Sequence, residues 1–204
     1  MSPASSAATR LALSEATVEV LASEGFGGTT AKAIAARSGC RESLIFYHFG
    51  SVTALVIEAV QELSNRRLAD LGEALRDATT PEALVEIVRE AIADDLRKGD
   101  LKVLLATLEG ARREPTIASA LTGLLRPWEA LATRTFQWQA QVHPLGVFVP
   151  APLVAKLVLA GLVGLELLGS VHEDTDVPMV LDQVAMLMQL GLSLLGEPVD
   201  EALD

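Results

Sequence analysis

The sequence predicts an all-α protein of about nine helices, and three observations lead to that prediction. Leu, Ala, Glu and Arg recur at spacings of three to four residues along most of the chain, which is the periodicity of amphipathic helices. The alternation of β-branched residues that predicts strands is absent. Ser, Thr, Pro and Gly stand where such helices would begin or end. Half of the 204 residues are apolar, which excludes a disordered chain.

The first three predicted helices are separated by glycine-containing turns. The first covers about residues 6–23 and ends at Gly25, because glycine readily takes the left-handed conformation of a C-terminal cap. The second covers about residues 30–37, with a threonine at its N-cap, and Gly39 ends it. The third covers about residues 41–48. One face of the first helix collects four apolar residues: Leu13, Ala16, Val20 and Leu21.

A long fourth helix is predicted next, over about residues 52–78, with Ser51 as its N-cap. At 1.5 Å per residue it would span about 40 Å, enough to join two modules. The Thr80-Pro81-Glu82 sequence is typical of a helix start, since it offers a cap, a first-turn proline and an N-terminal acid. The remaining helices are predicted over about residues 81–98, 100–113, 115–141 (with a possible kink at 123–127), 151–171 and 177–195.

The charge of the chain is unevenly distributed. Sixteen basic and 27 acidic side chains give a net charge of −11, which excludes a uniformly basic nucleic-acid binder. Residues 1–50 hold four basic and four acidic side chains, so residues 51–204 carry all of the −11. This shift in composition predicts a module boundary near residue 51. The single cysteine, Cys40, excludes an internal disulfide framework, and the first residues lack a secretory pattern, so we expect a cytoplasmic protein.

The second and third helices have the spacing of a helix-turn-helix. A small residue at Ala35 lets the helices approach, Gly39 suits the left-handed turn, and Ile45 seals the angle between the helices together with Ile34. The exposed residues of the last helix would be free to enter a major groove. They are Arg41, Glu42, Ser43 and Tyr47. The same spacing also occurs in ordinary helical hairpins, so on its own it leaves both interpretations open.

A wider set of motifs resembles the N-terminal domain of the tetracycline-repressor (TetR) family. The resemblance covers about residues 10–60, under a third of the chain. It implies a three-helix helix-turn-helix DNA-binding domain over residues 1–51, followed by a helical ligand-binding and dimerisation domain over residues 52–204. The motifs, which stand in register, are Gly25-Phe-Gly-Gly-Thr-Thr30, Ile34-Ala-Ala-Arg-Ser-Gly39, Leu44-Ile-Phe-Tyr-His-Phe49-Gly-Ser and Ala54-Leu55.

The resemblance also implies roles for individual residues on a palindromic double-stranded operator. Thr30 would contact a phosphate, and Arg41 is the best candidate for reading a guanine. Glu42 would accept from a cytosine amino group or pair with Arg41. Tyr47 would lie at the groove wall, and Phe49 would plug the core beneath. The full predicted DNA-binding set is Thr30, Lys32, Arg41, Glu42, Ser43, Phe46, Tyr47 and His48.

Two residues depart from the family pattern. The family usually has Tyr where this chain has Phe46, and Lys where it has Val52. Both changes remove a group that can reach the DNA backbone, so binding should be weaker and less salt-dependent. An alternative interpretation follows from these losses. The chain could be a helical ligand-binding or scaffolding dimer whose DNA-binding head is weakened.

The two C-terminal helices, about 151–171 and 177–195, are very apolar. Lys156 and Glu166 leave only nine uncharged residues between them, which is short of the roughly 20 that a membrane span needs. We therefore expect no membrane insertion and predict that these helices form a homodimer interface. A dimer would place two recognition helices about one DNA turn apart.

An unknown small-molecule effector is expected among the helices of the C-terminal domain, where it would shift the fourth helix and release DNA. Three aromatic residues crowd one stretch, and plain core packing is the alternative for them. Glu109 and Arg113 belong either to the pocket or to a solvated face, and Glu166 either to the pocket or to a structural ion pair. The candidate ligand-binding set is Glu109, Arg113, Trp128, Phe136, Trp138 and Glu166.

No pattern in the chain predicts catalysis, a metal or a cofactor. Residues 172–176 gather potential metal ligands but fall where a polar turn must join the last two helices. His143 precedes a proline in a predicted loop, and Cys40 has no histidine near it in sequence. A glycine-rich phosphate loop would follow a strand, and no strand is predicted. We therefore expect a protein that is not an enzyme.

Overall fold

The computed structural model describes residues 3–142, 150–171 and 176–195, and these ranges are almost entirely helical. They contain nine α-helices and one short 3₁₀ turn, Leu75–Asp77, which confirms the all-α prediction. The α-helices are α1 (Pro3–Gly28), α2 (Ala31–Ser38), α3 (Glu42–Phe49), α4 (Val52–Ala74), α5 (Pro81–Lys98), α6 (Asp100–Ala111), α7 (Pro115–Val142), α8 (Ala151–Val171) and α9 (Val177–Leu195).

The chain packs into two compact units, which are described separately. Unit 1 comprises Met1–Ala69 and Asp95–Pro127, and unit 2 comprises Asp70–Asp94 and Trp128–Asp204. The boundaries between these units differ from the boundary between functional domains that the sequence predicts at residue 52. That boundary stays a prediction.

The first four helices share one apolar core. Leu13 and Ala16 of α1, Ile34 of α2, Ile45 of α3 and Leu55 of α4 are all buried and pack as one cluster. The predicted apolar face of α1 is therefore correct, and Val20 and Leu21 are buried with it. This core fixes the position of α3 relative to α1 and α4.

The turn between α2 and α3 forms as predicted. The amide of Ala33 donates to the Thr30 side chain at 3.2 Å, so Thr30 is the N-cap of α2. Gly39 ends α2 with φ 68° and ψ 10°, which is the left-handed conformation. Ala35 is buried at the helix crossing. These local features give the two helices a helix-turn-helix geometry.

We expect Gly39→Ala to lower the free energy of unfolding by about 1–2 kcal/mol, the usual cost of a left-handed L-residue. A Cβ atom at Gly39 would meet no heavy atom within 4 Å, so the cost comes from the backbone conformation. Gly39→Asn is the matched control, because asparagine tolerates this conformation, and it should cost clearly less. Urea denaturation followed by circular dichroism measures both. Equal costs for the two variants would contradict the explanation.

Two helix boundaries differ from the sequence prediction. Helix α1 continues to Gly28, but Gly25 interrupts its helical backbone with φ 69° and ψ −176°. Helix α4 ends at Ala74 and tightens into the 3₁₀ turn, in which the amide of Ala78 donates to the carbonyl of Leu75. The 23 residues of α4 therefore span about 35 Å, which is shorter than predicted.

Within unit 1, the C-terminal end of α1 packs closely on α6. The ring of Phe26 lies so near Gly110 that a Cβ atom built there would be 2.5 Å from two of its carbons. Gly99 precedes α6 in the left-handed conformation and faces the Ala22 side chain. Only a residue without a side chain at position 110 allows this approach.

Within unit 1, a charged cluster joins α4, the C-terminal end of α5 and the start of α6. Arg67 of α4 forms an ion pair with Asp95 of α5, and its Nε atom lies 3.4 Å from a carboxylate oxygen of Asp100 in α6. All three side chains are less than one fifth exposed. The cluster therefore fixes α4 against the turn between α5 and α6.

Within unit 2, Arg89 of α5 connects its own helix to α9. It pairs with Glu86 one turn away and donates to Asp182 at 3.1 Å. The hydrogen bond from Arg89 lowers the pKa of the Glu86 carboxyl, although desolvation opposes it, and the same bond raises the pKa of Arg89. These contacts orient α9, at whose start the amide of Met179 donates to the Asp176 carboxylate at 3.0 Å.

No single helix in the described ranges is both long and apolar enough to cross a membrane. One bent pair, Glu42–Phe49 with Val52–Asp77, meets the length and composition criteria only when the two helices are taken together.

Candidate DNA-binding surface and effector site

The start and outer face of α3 form an exposed surface of mixed chemistry. Arg41 takes the N-cap position of α3 in an extended conformation, and Glu42 and Ser43 follow it in the first turn. All three are exposed. Phe46 and Tyr47 are 52% and 77% exposed, although aromatic side chains of this size are usually buried at least in part. The surface thus offers a guanidinium, a carboxylate, a hydroxyl and two aromatic rings.

The remaining predicted contacts flank this surface in different environments. Thr30 and Lys32 are exposed at the start of α2. Val52, which stands where the family usually has Lys, is half-buried and packs against the apolar core of the first four helices. The valine therefore contributes packing to that core.

Arg10 anchors the C-terminal end of α3. Its guanidinium donates to the backbone carbonyl of His48 at 2.7 Å, pairs with Glu58 of α4 and lies 4.4 Å from the centre of the Phe49 ring. Ser14, one turn later in α1, donates to Glu62 of α4 at 2.8 Å. These contacts hold α1, α3 and α4 together, and Arg10 thereby positions α3.

His48 differs from its exposed neighbours. It is half-buried, and its Nε2 atom is buried with no hydrogen-bond partner among the residues that the structure describes. Its ring lies edge-on to Tyr47, with ring centres 4.9 Å apart. Its predicted contact with DNA stays a prediction.

The two packing units differ strongly in net charge. Unit 1 holds 12 basic and 10 acidic side chains, a net charge of +2. Unit 2 holds 4 basic and 17 acidic side chains, a net charge of −13. The candidate DNA-binding surface therefore belongs to the unit with a positive net charge.

The predicted ligand-binding residues fall into both packing units. In unit 1, Glu109 and Arg113 form an exposed ion pair at 3.2 Å across one turn. In unit 2, Trp128 is half-buried. The backbones of Phe136 and Trp138 belong to α7, but their side chains lie outside the described part of the structure.

Glu166 of α8 is buried, with only 6% of its surface exposed. No hydrogen bond or ion pair joins it to any residue in the described ranges. It lies on the same face of α8 as the fully buried Ala155 and the half-buried Leu162. The opposite face of the helix is exposed, and Leu153, Leu157 and Val171 lie on it. Glu166 is therefore directed into unit 2.

The sequence pattern of the family described as "Bacterial regulatory proteins, tetR family" matches residues 13–59. This range extends from the buried core of α1 to the middle of α4 and contains the whole helix-turn-helix. Residues 13–59 therefore form a helix-turn-helix domain of the tetR family. No curated protein matches the sequence significantly.

Solved structures resemble the chain over most of its length. A protein of Pseudomonas aeruginosa PAO1 classed as a transcriptional regulator is 25% identical, with a TM-score of 0.69 over 91% of this chain and 90% of that one. FadR of Bacillus subtilis, in complex with stearoyl-CoA, is 15% identical, with a TM-score of 0.70 over 87% and 96%. A Saccharomonospora viridis protein in complex with choline is 17% identical, with a TM-score of 0.73 over 90% and 95%. The last two likenesses concern the fold alone.

The described part of the chain holds no group of three or more His, Cys, Asp or Glu side chains arranged to bind a metal ion. Cys40 is half-buried against the core of the first four helices. His143 and residues 172–175 lie outside the described residues.

The sequence prediction missed Arg10, although a signal for it exists. Arg10 precedes Leu13 and Ser14 by three and four positions, so it lies on the buried face of α1. A charged side chain on such a face needs a partner. That argument predicts an ion pair but leaves its partner, Glu58, unspecified.

Proposed function

We propose that the chain is a homodimeric, sequence-specific transcriptional repressor that a small-molecule effector releases from DNA. The observation that carries the proposal is the exposed surface of α3, where Arg41 to Ser43 and two uncovered aromatic rings stand on a rigid buried core. Such a surface suits base edges and groove walls. We assign DNA binding to residues 1–51 and effector binding and dimerisation to residues 52–204, in a cytoplasmic protein without catalytic activity.

A second copy of the chain is the proposed partner of α8 and α9. Fourteen large apolar side chains are exposed in the described residues, and eleven of them belong to these two helices. Monomeric proteins rarely leave so much apolar surface in one region. A dimer through residues 151–171 and 177–195 would cover it and would pair two recognition helices for a palindromic site.

Proteins of the same fold support a small-molecule effector without identifying it. The B. subtilis FadR structure holds stearoyl-CoA, and the S. viridis structure holds choline. These ligands differ greatly in size and charge, so the fold accommodates varied chemistry. In our proposal the effector favours a state in which α4 holds the DNA-binding domains of the two subunits at a spacing that does not match the two half-sites of the operator. By linkage, the effector weakens DNA binding by the same factor by which DNA weakens effector binding.

We expect selection from a random double-stranded DNA pool to yield a palindrome whose half-sites are about one turn, roughly 34–36 Å, apart. Arg41→Ala should weaken binding to the selected site by about 1–3 kcal/mol and relax the preference at one base pair of each half-site. Mobility-shift titrations at several salt concentrations measure both effects. Sedimentation of the free protein at the same concentrations should give a dimer.

Arg112→Ala is the matched control, because Arg112 is an equally exposed cation at the end of α6, and it should leave the affinity nearly unchanged. Phe46→Tyr and Val52→Lys should each tighten binding and steepen the salt dependence by about 0.9 for each phosphate that the new side chain reaches. Failure to select any sequence would contradict the repressor. If only the Phe46→Tyr, Val52→Lys double variant selects a DNA sequence, the alternative interpretation is favoured, in which the chain is a dimer whose DNA-binding domain is weakened.

A further inference from the structure

We propose that Glu42 is a specificity-determining residue, which reads a cytosine in each half-site of the operator by accepting a hydrogen bond from its 4-amino group. This inference rests on the proposed function, because it names a base that the DNA-binding surface recognises. It starts from the position of an acidic side chain, since Glu42 stands exposed in the first turn of α3, directly after Arg41. Phosphates repel a carboxylate there, so it favours binding only where a donor on a base compensates for the repulsion.

The carboxylate of Glu42 is free to accept from such a donor. Its nearest cation in sequence is Arg41, but no ion pair joins either side chain to another residue in the described ranges. Glu19 of α1, by contrast, pairs with Arg37 of α2 at 3.2 Å. The resemblance leaves two roles open for Glu42, and its solvated carboxylate favours base contact over pairing with Arg41.

An apolar ring stands beside this carboxylate on the outer face of α3. Phe46 follows Glu42 by four positions, so the two side chains are neighbours on one side of the helix. The Phe46 ring is 52% exposed, whereas Ile45, on the inner face, is fully buried. The helix therefore presents to the groove a hydrogen-bond acceptor next to a ring that carries no hydroxyl.

Cytosine is the base whose major-groove edge complements this pair of side chains. Only cytosine and adenine present an amino donor in the major groove. Adenine carries the N7 acceptor beside its amino group, and that acceptor would repel the Glu42 carboxylate and find no donor on the Phe46 ring. Cytosine carries the apolar C5 edge beside its amino group, and the ring would cover that edge. The two side chains together therefore select cytosine over adenine.

The test is selection from random double-stranded DNA by the full-length protein and by its Glu42→Gln variant. The palindrome selected by the unchanged protein should require a C·G pair at one position of each half-site. Glu42→Gln should select A·T there, because a glutamine amide pairs with both N6 and N7 of adenine. In mobility-shift titrations, the unchanged protein should prefer the C·G site over its A·T variant by about 10-fold or more, and Glu42→Gln should reverse this preference.

Two further variants separate base reading from the loss of a negative charge. Glu114→Gln, the matched control, removes the same charge from an exposed side chain between α6 and α7 and should leave the base preferences unchanged. Glu42→Ala should bind the C·G site and its A·T variant with similar affinity.

Two outcomes would overturn the role of Glu42 and leave the repressor standing. One is a selected palindrome that requires no C·G pair in its half-sites. The other is an unchanged base preference in Glu42→Gln, even if its melting temperature falls, because Glu42 would then only stabilise the first turn of α3. If the unchanged protein selects no sequence at all, the proposed function itself fails, and this inference fails with it.

Discussion

Replacing Arg67 with alanine should lower the free energy of unfolding by about 3–5 kcal/mol, the usual cost of removing one partner from a buried ion pair. The change leaves the Asp95 and Asp100 carboxylates facing the vacated position, where both side chains are less than one fifth exposed. Two neighbouring buried carboxylates then lack their cation and repel each other. Urea denaturation at fixed protein concentration, followed by circular dichroism, measures the loss.

Arg66→Ala is the control for this experiment. Arg66 is the preceding residue of α4, carries the same side chain and is exposed. Its removal should change the free energy of unfolding by less than about 0.5 kcal/mol, as is usual for surface positions. Similar losses in the two variants would mean that the three-helix cluster contributes nothing specific. Because Arg67 connects α4 to the turn between α5 and α6, we also expect its loss to weaken DNA binding more than its neighbour's loss does.

Gly110→Ala should destabilise the protein by about 1–3 kcal/mol through overpacking. The new methyl group would lie 2.5 Å from two carbons of the Phe26 ring, so the ring or α6 has to move. The sign of the change in unfolding free energy identifies overpacking, because replacing glycine with alanine inside a helix normally stabilises a protein by about 0.5–1 kcal/mol. Urea denaturation measures the change.

Gly123→Ala provides the normal case. Gly123 is exposed in α7, and a Cβ atom there would have no heavy atom within 4 Å, so this variant should be more stable than the parent protein. Adding Phe26→Leu to Gly110→Ala should recover part of the loss, since a smaller side chain makes room for the methyl group. Strictly additive effects of these two changes would show that residues 26 and 110 do not clash.

The features that the sequence predicted well are those encoded within a few residues. The N-cap of α2 at Thr30, the left-handed Gly39, the cap of α4 at Ser51 and the cap of α5 at Thr80 all formed. Each of the three caps depends on one side chain and the amide three positions on. The buried face of α1 was equally accessible, since helical periodicity alone defines it.

The contacts that escaped prediction join residues far apart in the chain. Arg67 lies 28 residues before Asp95 and 33 before Asp100, and no local pattern specifies that they meet. The close approach of Phe26 and Gly110 likewise depends on how α1 packs on α6. For the effector site, the sequence identified Glu166 as unusual but left an ion pair and a pocket equally open.

In the proposed dimer, the narrow buried stripe of α9 would make the stability of the protein depend on its concentration. The stripe follows every fourth residue of this helix: Val177, Leu181, Ala185 and Gln189 are buried or half-buried, while Met186 and Leu187 are more than two thirds exposed. In the proposed dimer, most of the hydrophobic free energy that orders α9 would come from the second subunit. Dilution below the dissociation constant of the dimer would then reduce the stability of the fold as well as the binding to palindromic DNA. The melting temperature would fall as the protein is diluted, and the dissociated subunits would become substrates for proteolysis. The cellular concentration of the protein would thus determine how long each molecule survives.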